Sequence, residues 1–122
     1  MRKSMKKISS LVAIGLALSS PAAYAHHSFN MFDSSKYVEF DGVVKTFTWR
    51  NPHVMITVQA GNKVWTVECS TPNIIGRKGW SPTVMKAGDK IRFRIHPRKD
   101  GSDYGLAVSA RLPNGTIITD KP

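Results

Sequence analysis

The sequence predicts a single, mainly β domain: an OB-like Greek-key barrel of five to six strands, with a short helical connection between strands three and four. Three observations carry this. Apolar residues alternate at period two in several stretches, glycine-centred turns separate those stretches, and helix start and stop signals cluster in one place, after the third stretch. Three strands, a helical connection and two more strands is the order of an OB-fold, although a small sandwich or another closed barrel has a similar strand count. Helical content is too low for a parallel α/β sheet.

The first strand covers about Tyr37 to Trp49. Val38 and Phe40 share one face while Val43, Phe47 and Trp49 take the other parity, so the switch falls at Gly42 and predicts a bulge or bend there. The second strand, Val54 to Ala60, alternates Val54, Ile56 and Val58 against Met55, Thr57 and Gln59, and Gly61-Asn62 turns it into a third over Lys63 to Ser70. In that third strand Trp65, Val67 and Cys69 point one way, which places Cys69 in the core. Thr71 as N-cap, Pro72 at the first helical position and Gly79 past the end mark a helix over about Pro72 to Lys78, and Ser81-Pro82 predicts a further helical turn. Lys90 to His96 is the cleanest alternation: Ile91, Phe93 and Ile95 against Arg92, Arg94 and His96. After a loop from Pro97 to Asp103, a fifth strand spans about Tyr104 to Leu112, and Asn114-Gly115 leads into a sixth over Thr116 to Thr119.

Ahead of the barrel lies a different kind of sequence. Arg2, Lys3, Lys6 and Lys7 form a positive n-region, Ile8 to Leu18 a short apolar run, and Ala23-x-Ala25 a small-residue cleavage site. Residues 1–25 are therefore expected to be a signal peptide, cut between Ala25 and His26, with residues 26–36 as an extended lead-in and 37–122 as the barrel. The apolar run is too short to span a bilayer, and the exported chain is expected in the periplasm without a transmembrane segment. Without the leader, fourteen basic side chains face eight acidic ones, a net charge of +6 on 97 residues. That balance favours anionic partners, an envelope component or an acidic protein, and nucleic acid is not an expected partner of an exported protein. With Cys69 alone, no internal disulfide can form, and the fold depends on packing.

His26-His27-Ser28-Phe29, Met31-Phe32-Asp33, Asn51-Pro52-His53, Gly79-Trp80, Ala87-Gly88-Asp89 and His96-Pro97-x-x-Asp100-Gly101-Ser102 occur in an order that resembles a family of small exported bacterial proteins, domain of unknown function number sixty-one fifty-two. The resemblance covers the mature chain and implies an exported β domain. It brings no activity and no site residues, so the chemistry has to come from the side chains.

Cleavage after Ala25 puts a His at the new terminus, where the α-amine and the ring nitrogen close a chelate on one metal ion. Their ordinary pKa values, about 7.7 to 8.0 and 6.5, leave both available near neutrality. His27 adds another ring nitrogen and an amide that Cu(II) can deprotonate, and nitrogen-rich sites favour Cu(II), so copper is the expected cofactor if there is one. His96 is the expected third ligand, because antiparallel pairing of strands one and four brings it to the start of strand one. His53 ranks behind it, because it is expected at the opposite end of the barrel. A lead-in of eleven residues extends to about 35 Å and reaches either. The competing readings are adventitious binding by a terminal His pair, and a binding module without metal that uses a basic face of Arg77, Lys78, Trp80, Arg92, Arg94, Arg98 and Lys99 to hold an anionic glycan, a lipid headgroup or an acidic protein. Such a face also keeps an edge strand from aggregating. The eight acidic residues show no paired spacing, and no nucleophile or metalloprotease motif occurs, so enzymatic activity is not expected.

Overall fold

The computed structural model describes residues 30–120. The predicted signal peptide, the Ala25/His26 junction and both His26 and His27 lie outside the described residues. Six strands follow in chain order: β1 (Val38–Thr48), β2 (Met55–Ala60), β3 (Lys63–Glu68), β4 (Lys90–Pro97), β5 (Tyr104–Arg111) and β6 (Ile117–Thr119), with the short helix α1 (Pro72–Gly76) between β3 and β4. Their order in the sheet is β3-β2-β1-β4-β5-β6, and β3 also pairs with β5. That last pairing closes five strands into a barrel and leaves β6 as an additional strand on β5. The mainly β, OB-like barrel read from the sequence is the observed fold.

β1 serves two neighbours in succession. Val38 to Val43 pair with β4, and Val43 to Thr48 pair with β2. The change of partner needs a sharply coiled strand, and Gly42 permits it: a Cβ there would strike the Val58 side chain and stand 2.9 Å from the Gln59 carbonyl oxygen. The predicted bend is thus at Gly42, but the parity switch is not. The register slips between Val44 and Thr46, so Lys45 is the extra residue that turns Phe47 and Trp49 inward. Val44, buried like Val58, still keeps the parity of Val38 and Phe40.

The closing seam is short. Thr66, Val67 and Glu68 pair in parallel with Tyr104, Gly105 and Leu106. Gly105 is required because Ile95 of β4 crosses directly over it, with the Ile95 Cβ 2.9 Å from where a Gly105 Cβ would stand. Inside, Phe93, Ile56, Ile91, Ile95, Val54, Val58, Val67 and Cys69 are fully buried, so the period-two residues named as core are the core. Trp65 stacks on Phe40 with ring centroids 5.0 Å apart, and Trp49 packs against the same cluster.

α1 caps the barrel where β1 ends. Thr71 accepts from the Ile74 amide as N-cap, Ile75 is buried, and Gly76 comes within 3.9 Å of the Trp49 ring. The helix is two residues shorter than predicted: the amides of Lys78 and Trp80 both return to the Ile75 carbonyl, and Gly79 takes φ 89°. The helical turn expected at Ser81-Pro82 is a single turn closed by the Val84 amide on Ser81, since the chain must then enter the core at Met85.

Candidate functional site

The lead-in does not hang free. Phe32 forms an antiparallel bridge to Arg98, the Asp33 amide donates to the Pro97 carbonyl at 2.8 Å, and the Lys99 amide donates to Met31 at 2.9 Å. Phe32 is 5% exposed, which makes it an anchor rather than a decoration. Asp33 closes the following turn through the Ser35 hydroxyl and amide, bonds that hold its carboxyl below the usual range. Met31 to Asp33 therefore form a strap zipped along residues 97–99. Because the pairing is antiparallel, Met31 lies farther along residues 97–99 from His96 than Asp33 does.

His96 sits where the strand pairing predicts, next to the start of β1, with Val38 opposite Ile95. Its Nδ1 lies 2.8 Å from the Lys36 carbonyl oxygen, and its ring lies against Tyr37 with centroids 4.7 Å apart. A carbonyl only accepts, so Nδ1 carries the proton.

His53 follows the far end of β1, but it is not set apart at the opposite end of the barrel as the sequence predicts: closure brings the two ends of β1 round to one row. His96 pairs with Leu106, Leu106 with Glu68, and Glu68 with Met55 at the start of β2. The stagger of strands around a closed barrel produces this, and a single strand pair does not reveal it. His53 faces Glu68, Nε2 to Oε1 at 3.6 Å, and its Nδ1 donates to the Cys69 carbonyl at 3.0 Å. Glu68 Oε2 in turn accepts from the Tyr104 hydroxyl at 3.0 Å. Burial, followed by the Glu68 charge, pushes the Tyr104 phenol up to about 12. The Arg98 guanidinium lies 3.6 Å over the Tyr104 ring and 5.9 Å from the centroid of Phe32. A continuous chain of contacts thus runs from the strap across the seam: Phe32, Arg98, Tyr104, Glu68, His53. Glu68 and Tyr104 were not singled out in the sequence, since 36 residues separate them and only closure joins them.

Behind this chain lies Asp120, 3% exposed. Its Oδ2 accepts from the Ser70 amide at 2.6 Å, and Lys78 Nζ stands 3.8 Å from Oδ1. Burial raises the Asp120 carboxyl despite these partners. Burial, and then the charges of Asp120 and Glu68, push the Cys69 thiol well up, which suits an inert core cysteine. Among the described residues, no group of three or more His, Cys, Asp and Glu side chains is arranged to hold a metal.

The single basic face divides into three places. Arg77 ends α1 and Lys78 pairs with Asp120; Arg98 and Lys99 hold the strap; Arg92 and Arg94 stand on the outside of β4. Trp80 belongs to none of them. It is 3% exposed, and its indole donates to the Thr119 carbonyl at 3.0 Å, so it is a core residue and not a partner-binding one. The turn after Gly79 folds it under β6. On β4, Arg92 meets Asp41 at 2.9 Å and Glu39 at 3.3 Å, while Arg94 meets Glu39 at 3.6 Å and covers the Tyr37 ring at 4.0 Å. A groove of about 330 Å³ runs beside them, lined also by Ser109, Arg111, Ile117 and Thr119.

Fold and site together define a small closed β-barrel domain strapped by its own N-terminal segment. The chain belongs to the family described as "Family of unknown function (DUF6152)", whose profile matches residues 13–108. This is the family that the ordered motifs resemble, and the match includes the His26-His27 pair. No curated protein matches the chain. Among the described residues, no helix is long and apolar enough to cross a membrane.

Proposed function

We propose that this chain is an exported periplasmic binding protein without enzymatic activity, and that it binds copper through the amine and ring of His26 at its mature terminus, with His27. The strap carries this reading. Met31 to Asp33 are fixed on residues 97–99, so the five residues from His26 to Asn30 extend at most about 17 Å from a defined place on the barrel. A chelate at that terminus is then tethered to a folded surface, in contrast to an adventitious His pair on a long free tail. Export is supported by the order of charge, apolar run and small residues in residues 1–25. His96 fits less well than the strand pairing alone suggests, because the strap has already passed it at Lys36. The test is a copper titration of protein with its native terminus. It should bind about one Cu(II) tightly, and a version with one additional residue ahead of His26 should bind far more weakly; equal binding by both excludes a terminal chelate.

One observation favours a second reading. The groove beside β4 gathers Arg92, Arg94 and Arg111 against Glu39, with Ser109 and Thr119 as hydrogen-bonding neighbours. Such a surface suits an anionic glycan, a lipid headgroup or an acidic protein, bound without metal. On this reading, replacing both Arg92 and Arg94 by Glu abolishes retention on an anionic polysaccharide resin or on anionic vesicles, and copper changes nothing.

A further inference from the structure

The outer face of β1, β4, β5 and β6 carries its side chains in two rows. Strand pairing sets Asp41, Arg92, Arg111 and Ile117 side by side in one, and Glu39, Arg94, Ser109 and Thr119 in the next. In the first row two arginines are direct cross-strand neighbours, an arrangement that repels unless an anion lies nearby. Arg92 has its counter-charges on the β1 side, Asp41 at 2.9 Å and Glu39 at 3.3 Å. Arg111 has none: among the described residues its exposed side chain has no ion-pair or hydrogen-bonding partner, and neither has that of Lys90, two residues before Arg92. Arg92 and Arg111 also stand between two grooves and line both. The first, of about 330 Å³, adds Arg94, Glu39, Ser109 and Thr119, and the second, of about 620 Å³, adds Lys90, Asp41 and Gln59. Each groove thus sets cations beside a carboxylate and a neutral hydrogen-bonding side chain. Cations alone suit any anion, whereas Glu39 and Asp41 oppose a bare polyanion and accept from hydroxyls. A ligand that satisfies both carries carboxylates and hydroxyls on the same unit. Lys90, Arg92 and Arg94 spread the contact over about 13 Å of β4, which calls for a chain rather than a single sugar.

We propose that the two grooves bind a linear acidic glycan, a chain of uronic acid units, with Arg111 and Lys90 taking its carboxylates and Asp41 and Gln59 its hydroxyls. The inference rests on the second reading above and commits it to one of its three partners. An acidic peptide gains most by adding as a strand to an open edge, but the strands that line the larger groove, β1, β2, β4 and β5, are each paired on both sides. Membrane attachment needs apolar area to bury, and the large apolar side chains exposed in the grooves are Val43 in one and Ile117 in the other. Arginine suits a carboxylate in particular, because its planar fork donates two parallel hydrogen bonds to the two oxygens.

The experiment titrates mature protein by calorimetry with a tetramer of galacturonic acid, the methyl ester of that tetramer, polyglutamate and phosphatidylglycerol vesicles. The free acid should bind, and the uncharged ester about tenfold more weakly or worse. Arg111→Ala and Lys90→Ala should each weaken the free acid by about threefold or more. Both side chains are exposed and unpaired among the described residues, so the fold is not at stake, and circular dichroism checks it. Asp41→Ala separates hydroxyl recognition from charge. It makes the grooves more positive, so it should strengthen polyglutamate, yet it should weaken the free acid, which loses an acceptor for its hydroxyls. Stronger binding of the free acid by Asp41→Ala, or unchanged binding by Arg111→Ala and Lys90→Ala, overturns the glycan site. Binding of polyglutamate or vesicles in place of the free acid also overturns it, and leaves the reading of an anionic partner standing. No binding of any probe overturns both.

Discussion

Two regions of the barrel surface carry charged side chains in contact, and they are built in opposite ways. On the β1–β4 face, Arg92 and Arg94 meet Glu39 and Asp41 in the open, with Asp41 77% exposed. At the β3–β5 seam, each polar group is held by the one before it: the Cys69 carbonyl holds His53, Tyr104 holds Glu68, and Arg98 lies on Tyr104 under the strap. Exposed pairs are screened by water and salt, whereas partly buried ones keep their geometry. The difference separates a face that tunes charge from a seam that fixes positions, and substitutions can test it in order of expected effect.

The seam should fail first at its narrowest point. Gly105→Ala places a methyl against Ile95 of β4, on the strand that meets β3 at three paired positions. Ile95 is itself fully buried in the core cluster. A destabilisation at the upper end of about 1–3 kcal/mol is expected, read from the urea midpoint. A neutral result would mean that Ile95 and the strand beneath it shift easily, and the seam would lose its claim to rigidity.

Tyr104→Phe tests the polar chain itself. It removes the hydrogen bond to Glu68 and leaves that carboxylate without the phenol, an expected loss of about 1–2 kcal/mol. The pH dependence gives a sharper sign. Tyr104 titrates at about 12 in the fold against an ordinary 10.0, so its contribution is complete below pH 10 and declines as pH rises from there through about 12. Unfolding free energies between pH 9 and 11.5 should fall less steeply in Tyr104→Phe than in the native protein.

Much of this fold is legible in the sequence because alternation and turn residues are local. Ile91, Phe93 and Ile95 declare their burial, and Thr71-Pro72 declares the helix start. The bulge lies three residues after the predicted switch, because Gly42 and Lys45 divide between them what one parity change implies: the first bends β1, the second shifts its register. Trp80 was read as a surface aromatic because only its contact with Thr119, 39 residues later, shows that it is covered. The His53–Glu68–Tyr104 chain was invisible for a related reason. It depends on the stagger of a closed barrel, and no spacing in the chain encodes that stagger directly.

Asp120 tests whether the buried end of the seam behaves as a carboxyl held against its preference. Burial raises its pKa above 3.8, outweighing the lowering by Ser70 and Lys78. Such a group binds its proton more tightly in the folded state, so its contribution is fully present below the ordinary value and is lost as pH rises through the folded one. Relative to Asp120→Asn, the native protein should therefore lose ground as pH rises above the ordinary carboxyl value, measured as the difference in guanidinium midpoints. A constant difference would show that the Ser70 amide and Lys78 offset burial completely.

The smallest effect belongs to the β1–β4 face. Arg92 is held above its ordinary pKa first by the hydrogen bond and charge of Asp41, then by Glu39, but all three side chains are open to solvent. Each arginine also loses side-chain freedom to keep its pairings, which offsets much of the attraction. Replacing both Arg92 and Arg94 by Ala should leave the urea midpoint within its scatter, and moderate salt should erase any remaining difference from the native protein. Arg94 is the more informative of the two, because it also covers the Tyr37 ring that packs on His96. If Arg94→Ala alone shifts the midpoint while Arg92→Ala does not, packing on Tyr37 and not charge is what that face contributes to the barrel.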